Sequence, residues 1–138
     1  MSRSVDSKHV NEIEVVKLFY VALNGNDIPA ALSLLDPQIV RVEFEGTPMG
    51  GTYRGLDEMK DHFTKGRSTW AEGICNPEKI TSVGNAFVVD VHVRVRLKDK
   101  TDWIDGRVAD AFAFRDGKIS EFRSFEKYED ATKWASHA

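Results

Sequence analysis

The stretch RVADAFAFRDGKISEFRSF, residues 107–125, reads as two strands joined by a tight turn. Side chains along a strand alternate between two faces. Val108, Asp110, Phe112 and Phe114 therefore share one side, and Arg107, Ala109, Ala111 and Ala113 the other. Asp116-Gly117 supplies the turn of a hairpin, and EFRSFEKY (121–128) is the returning strand. Asp110 is the residue out of place, because its neighbours on that face are bulky and apolar. A carboxylate so placed loses hydration, which raises its pKa and favours the neutral acid, a hydrogen-bond donor. Two readings follow. Asp110 is either the acid of a functional site, or a core acid accepting from backbone amides or an arginine, with the all-alanine face the packed one.

Upstream, the strands continue from Lys79, separated by the turn signals Gly84-Asn85 and Asp99-Lys100. Val89, Val91, Val93, Val95 and Leu97 alternate with Asp90, His92, Arg94 and Arg96, the pattern of a half-buried strand. The meander is antiparallel. Before it the period is helical. Val10, Ile13, Val16, Tyr20 and Leu23 form an apolar stripe over about 9–24, stopped by Asn24-Gly25. Asp27 caps a second helix with Pro29 in its first turn, buried through Ile28, Ala31, Leu32 and Leu35, and ended by Pro37. Val40, Val42 and Phe44 alternate with Arg41, Glu43 and Glu45 in a first strand, and a glycine-rich irregular loop follows from Gly46 to Gly55. Leu56, Met59 and Phe63 mark a short third helix closed by Gly66, and Tyr128–Ala138 carries Trp134 in a short terminal helix.

Helices followed by antiparallel strands predict an α+β domain in which three N-terminal helices cover one face of a strongly curved sheet. Such a sheet can curl around a hollow. The chain of 138 residues reads as one domain, residues 1–138, with its core over about 9–128 and a tail at 129–138. A net charge of −3 gives no field to attract a phosphate backbone, so no nucleic-acid partner is expected. Cys75 is the single cysteine, and the four histidines show no paired-ligand spacing, so no metal site is expected. No apolar run reaches the ~20 residues that span a bilayer, and MSRSVDSKHV (1–10) lacks the apolar core of a secretion signal. No membrane contact and a cytoplasmic location are the expectations.

Three segments carry a family resemblance: FYVALNGND (19–27) with ALSLLDP (31–37), RGLDEMKDHF (54–63), and DAFAFRDGKI (110–119) with the strand after it. In this order and spacing the chain resembles the SnoaL-like and NTF2-like superfamily, the cystatin-like cones that include ketosteroid isomerase and the polyketide cyclases. The resemblance implies a cone-shaped α+β domain and a small-molecule pocket. It also implies, in the isomerase branch, a cofactor-independent enzyme moving a proton alpha to the carbonyl of an apolar substrate. By that resemblance Asp110 falls on the protonated acid and Glu43 on the base, while the oxyanion-hole tyrosine position falls on Phe19. Tyr20 and Tyr53 are the tyrosines that could substitute from another direction. The implied ligand-binding residues are Phe19, Tyr20, Tyr53, Met59, Phe63, Val108, Phe112 and Phe114. The epoxide hydrolase branch is disfavoured, because its arginine and second aspartate fall on Val108 and Ser124. A non-catalytic ligand-binding or dimerisation module is the rival reading.

Residue alternation and resemblance disagree at Glu43. Alternation sets it with Arg41 and Glu45 on a solvated face, resemblance sets it inside, and a bulge near Glu45-Gly46 would reconcile them. His92, Arg94, Arg96 and Lys98 lie on one side of their strand but are diluted by Asp90, Asp99 and Asp102, as on a solvated or dimer-forming face. The resemblance implies a homodimer through that outer face, with Trp103 and Arg107 suited to its centre. Cys75 reads as an inert loop thiol, and His62 as a residue flanking the mouth of the pocket.

Overall fold

The computed structural model describes residues 3–47 and 49–138, with residues 3–10 described by their backbone alone. The expected stripe position Val10 and the loop residue Pro48 thus fall outside the described side chains. Helices α1 (Arg3–Asn24) and α2 (Ile28–Ser33) lead into strand β1 (Leu35–Glu43), β2 (Gly51–Arg54) and helix α3 (Gly55–Ser68). Strands β3 (Trp70–Val83), β4 (Ala86–Leu97), β5 (Ile104–Arg115) and β6 (Lys118–Phe125) follow, then helix α4 (Tyr128–Ala135). The six strands form one curved sheet in the order β2-β1-β6-β5-β4-β3. Only the β1–β6 pairing is parallel.

The start signals act as expected at α2, where the Asp27 side chain accepts from the Ala30 N–H at 3.2 Å and Pro29 sits in the first turn, but the helix ends at Ser33, and Leu35 and Pro37, expected in and after it, lie in β1. Gly66 does not close α3. The helix runs two residues further, and Thr69 ends it by donating both its N–H and its hydroxyl to the Gly66 carbonyl. The expected irregular loop contains β2, which pairs with β1 as a short hairpin.

The larger difference is β3, which starts nine residues before Lys79 and takes Cys75 out of a loop into a strand interior. Gly73 and Pro77 read as loop residues, yet β3 is an edge strand, where a missing N–H and a bulge are tolerated. The ladder shifts register between Trp70 and Glu72 and between Pro77 and Lys79. Gly73 has φ +127°, and a Cβ there would press into the Arg94 carbonyl and the Val95 backbone. We predict that Gly73→Ala costs about 1–3 kcal/mol in urea unfolding. An unchanged midpoint would show that the bulge relaxes freely.

Each face of the sheet carries a packed cluster. Val16, Phe19, Tyr20, Met59, Val89, Phe112 and Phe122 lie in the core on the side of α1–α3. On the reverse face Ala109 and Ala111 pack with Ala131 and Ala135 of α4, flanked by Phe125 and Trp134. The alanine row of β5 is thus small because a helix lies on it. Among the described residues no helix is long and apolar enough to cross a membrane.

Candidate functional site

Asp110 lies in the middle of β5 on the side facing α1–α3, and only 5% of it is exposed. The Tyr20 hydroxyl donates to its Oδ2 at 2.5 Å, and the Ser124 hydroxyl to its Oδ1 at 2.6 Å. Ser124 is Asp110's partner across the β5–β6 hairpin because a bulge between Ala113 and Phe114 shifts the register by one. An unbroken ladder from the Asp116-Gly117 turn would set Arg123 opposite instead. Burial is the largest influence on Asp110 and raises its pKa. The charge of Arg41 and the two hydroxyl bonds pull it down, the Glu43 charge pushes it up, and the net direction is upward. Burial, reinforced by Asp110, also holds the Tyr20 hydroxyl protonated well above the ordinary tyrosine range.

A second polar group lies on the same interior. The side chains of Ile39, Arg41 and Glu43 follow one face of β1, and the first two are buried. The solvated-face reading of Arg41 and Glu43 is therefore corrected, with no bulge at Glu45-Gly46 required; the irregularity of β1 falls earlier, between Leu35 and Val40. Arg41 is stabilised inside by stacking, its guanidinium carbon 3.8 Å from the centre of the Phe122 ring. Its Nη1 donates to the carbonyls of Val42 and Phe122, at 3.1 and 3.4 Å. Its Nη2 lies 3.3 Å from Glu43 Oε2.

His62, on α3, brings its Nε2 to the same Glu43 oxygen at 3.0 Å. The Tyr53 ring stacks on the imidazole with centroids 3.9 Å apart. Burial acts to raise the Glu43 pKa, but the His62 hydrogen bond and the Arg41 charge outweigh it and hold the carboxylate below its ordinary range. Arg41 Nε and His62 Nδ1 are buried with no hydrogen-bond partner among the described residues. Thr47 Oγ1, in the loop after β1, is a third such atom. The Glu43 side chain is 23% exposed, so this polar interior meets solvent at the Glu43 end.

The expected ligand-binding residues converge on one apolar cluster. Phe19, Tyr20, Met59, Phe63 and Phe112 are buried in it, and Tyr53, Val108 and Phe114 pack against it. They pack closely. Phe19 meets Tyr20, Phe63, Phe112 and Phe122 at centroid distances of 5.1–5.8 Å, and Phe112 stacks on Phe122 at 4.6 Å. An open cleft of about 540 Å³ lies elsewhere, lined by Pro37, Gln38, Val40, Arg54, Arg115 and Glu121 among others, and contains none of these residues. The half-buried Cys75 thiol is pushed up to about 12, chiefly by burial and then by Asp110 and Glu43. Among the described residues no three His, Cys, Asp or Glu side chains gather as a metal site would require.

Three polar residues of this interior were not singled out as functional from the sequence: Arg41, His62 and Ser124. His62 had a readable signal, since it stands three residues after Met59 and next to Phe63 on the buried side of α3.

The chain matches the SnoaL-like domain family over residues 16–122. No curated protein matches it in sequence. Among solved structures it is similar to an NTF2-like protein of unknown function from Burkholderia pseudomallei, 21% identical, with a TM-score of 0.76 over 89% of this chain and 95% of that one. A protein with a ketosteroid isomerase-like fold from Catenulispora acidiphila, in complex with trimethylamine, is 14% identical, with a TM-score of 0.73 over 81% and 84%. A putative polyketide cyclase from Sinorhizobium meliloti is 19% identical, with a TM-score of 0.67 over 80% and 93%. At these identities the likeness is one of fold. With the family matched over most of its length and the cone reproduced by its neighbours, the chain belongs to the SnoaL-like domain family and carries the NTF2-like fold.

Proposed function

We propose that the protein is a cofactor-independent enzyme of the isomerase or cyclase kind, moving a proton alpha to the carbonyl of a small apolar substrate. The observation that carries this reading is a divergence between two carboxyls on one interior. Burial draws Asp110 toward its neutral form, while Arg41 and His62 keep Glu43 ionised. Environments that push neighbouring acids apart are how one site supplies both a proton donor and a base. A neutral Asp110 that gives its proton to the Tyr20 oxygen frees the Tyr20 O–H to carry the donor role at the substrate oxygen, and the Glu43 end carries the base. Phe19, Met59, Phe63 and Phe112 supply the apolar surroundings. A likeness in fold to a putative polyketide cyclase supports the same class.

The test is exchange of alpha protons in D2O, followed by proton NMR, with 2-tetralone and a 5-ene-3-ketosteroid as probes. Exchange at least about tenfold above buffer with one of them is expected. Exchange at the buffer rate with both would leave the second reading, a ligand-binding module without catalysis. That reading is favoured by one observation: both Asp110 oxygens already hold hydroxyl donors, as in a satisfied core network.

A homodimer through the outer face of β3–β5 completes the proposal. Trp103 and Ile74 are exposed at that end, and Arg94 lies over the Trp103 ring at 4.5 Å. Arg107, the other residue expected there, is engaged by Glu78. Light scattering of the parent should give twice the chain mass, and Trp103→Glu should halve it. A monomeric parent would remove this interface.

A further inference from the structure

The Glu43 end of the site holds two groups that could take a proton, and the hydrogen-bond pattern separates them. Glu43 Oε2 is shared between Arg41 Nη2 at 3.3 Å and His62 Nε2 at 3.0 Å. A carboxylate doubly engaged by cationic and N–H donors is a weakened base, since each donor stabilises the charged form that proton uptake would destroy. His62 stands the other way round. If Nε2 carries the hydrogen given to Glu43, the lone pair lies on Nδ1. That atom is buried without a partner among the described residues, on a side chain only 5% exposed. The Tyr53 ring stacked on the imidazole fixes its plane.

We propose that His62 Nδ1 is the proton acceptor of this site, with Glu43 as a positioning residue that sets the His62 tautomer. This rests on the proton-transfer reading above. In the step, the substrate C–H bond alpha to the carbonyl breaks and its electron pair forms the enolate, while the proton forms an N–H bond at Nδ1. The resulting imidazolium is stabilised by the Glu43 carboxylate and gives a proton back to carbon, a deuteron once its N–H has exchanged with D2O, so nothing is oxidised or reduced. Arg41 Nε is another buried polar atom without a partner among the described residues, and as a donor it suits an acceptor oxygen.

The experiment has two arms. Long-range proton–nitrogen-15 NMR on the parent at pH 8, with His62 assigned by the signal lost in His62→Gln, reads the tautomer without any substrate. A bare Nδ1 and a protonated Nε2 are expected, and a proton on Nδ1, alone or with Nε2, overturns the proposal. The second arm is exchange with the two ketone probes. His62→Gln keeps a side-chain N–H for Glu43 but has no basic nitrogen, and should lose about a hundredfold. His62→Ala should lose as much and recover partly with added imidazole. His62→Gln at parental rate beside an inactive Glu43→Gln would return the base role to Glu43. A parent inactive on both probes would end the proton-transfer reading, and the tautomer would still be read separately.

Discussion

Asp110→Asn should fold like the parent and exchange ketone alpha protons about a hundredfold more slowly. Asparagine is the same size and can keep both neighbours, accepting from one hydroxyl and donating to the other, so the Tyr20 and Ser124 contacts survive in altered polarity. What it removes is the acidic proton. Loss of one such donor from an oxyanion site costs on the order of a hundredfold in turnover. Matching circular dichroism with parental exchange rates would remove Asp110 from the chemistry. The same variant tests the acid's environment through stability. Burial raises the Asp110 pKa in the folded protein, so the folded state binds its proton more tightly than the unfolded chain. The stability contributed is present in full below the ordinary carboxylate range and is lost as pH rises through the folded value. Urea unfolding of the parent should therefore lose stability relative to Asp110→Asn just above that range. Glu43 acts with the opposite sign, because its folded pKa is lowered. Its contribution is present above the ordinary range and is lost as pH falls through its folded value. A parent and variant with parallel profiles above the carboxylate range would show that Asp110 titrates as a solvated acid.

Phe112→Ala should cost about 3–5 kcal/mol of stability. Phe112 is fully buried, and its ring meets Phe19, Tyr20 and Phe122. Truncation removes the ring's transfer free energy and leaves a space that α1 and the sheet can close only in part. The edge contact that the Phe112 ring makes with Tyr20, the donor to Asp110, would also be gone. Phe112→Leu keeps most of the volume and should cost less than about 1.5 kcal/mol. Equal urea midpoints for the two variants would mean that the aromatic cluster is loosely packed.

The sequence and the structure agree where a signal was local. Asp27 and Pro29 start α2, Asp116-Gly117 turns β5 into β6, and Asp110 shares the buried face of Val108, Phe112 and Phe114. They diverge where a distant partner decides. Arg41 looks solvated within its own strand, yet it is buried because Phe122, from the far end of the chain, offers a ring and a carbonyl to it. Glu43 follows it inward to meet His62. Ser124 faces Asp110 through a one-residue bulge that the turn residues do not encode. The alanine row of β5 gave no hint of which helix would cover it, and α4 does so with alanines of its own. β3 was hidden by Gly73 and Pro77, which are incompatible with a central strand but not with an outermost one.

That outermost strand has its free rim occupied where it passes α1. The Asn24 side-chain amide donates to the Cys75 carbonyl at 2.8 Å and accepts from the Cys75 N–H at 2.9 Å. Arg67 holds the Leu23 and Asn24 carbonyls that carry this amide. One side chain thus imitates a neighbouring strand for a single residue, and Pro77, two positions on, has no N–H to offer. A foreign chain arriving to extend the sheet would find both rungs taken, so the molecule guards itself against fibril-like stacking at the place where its longest strand would invite it.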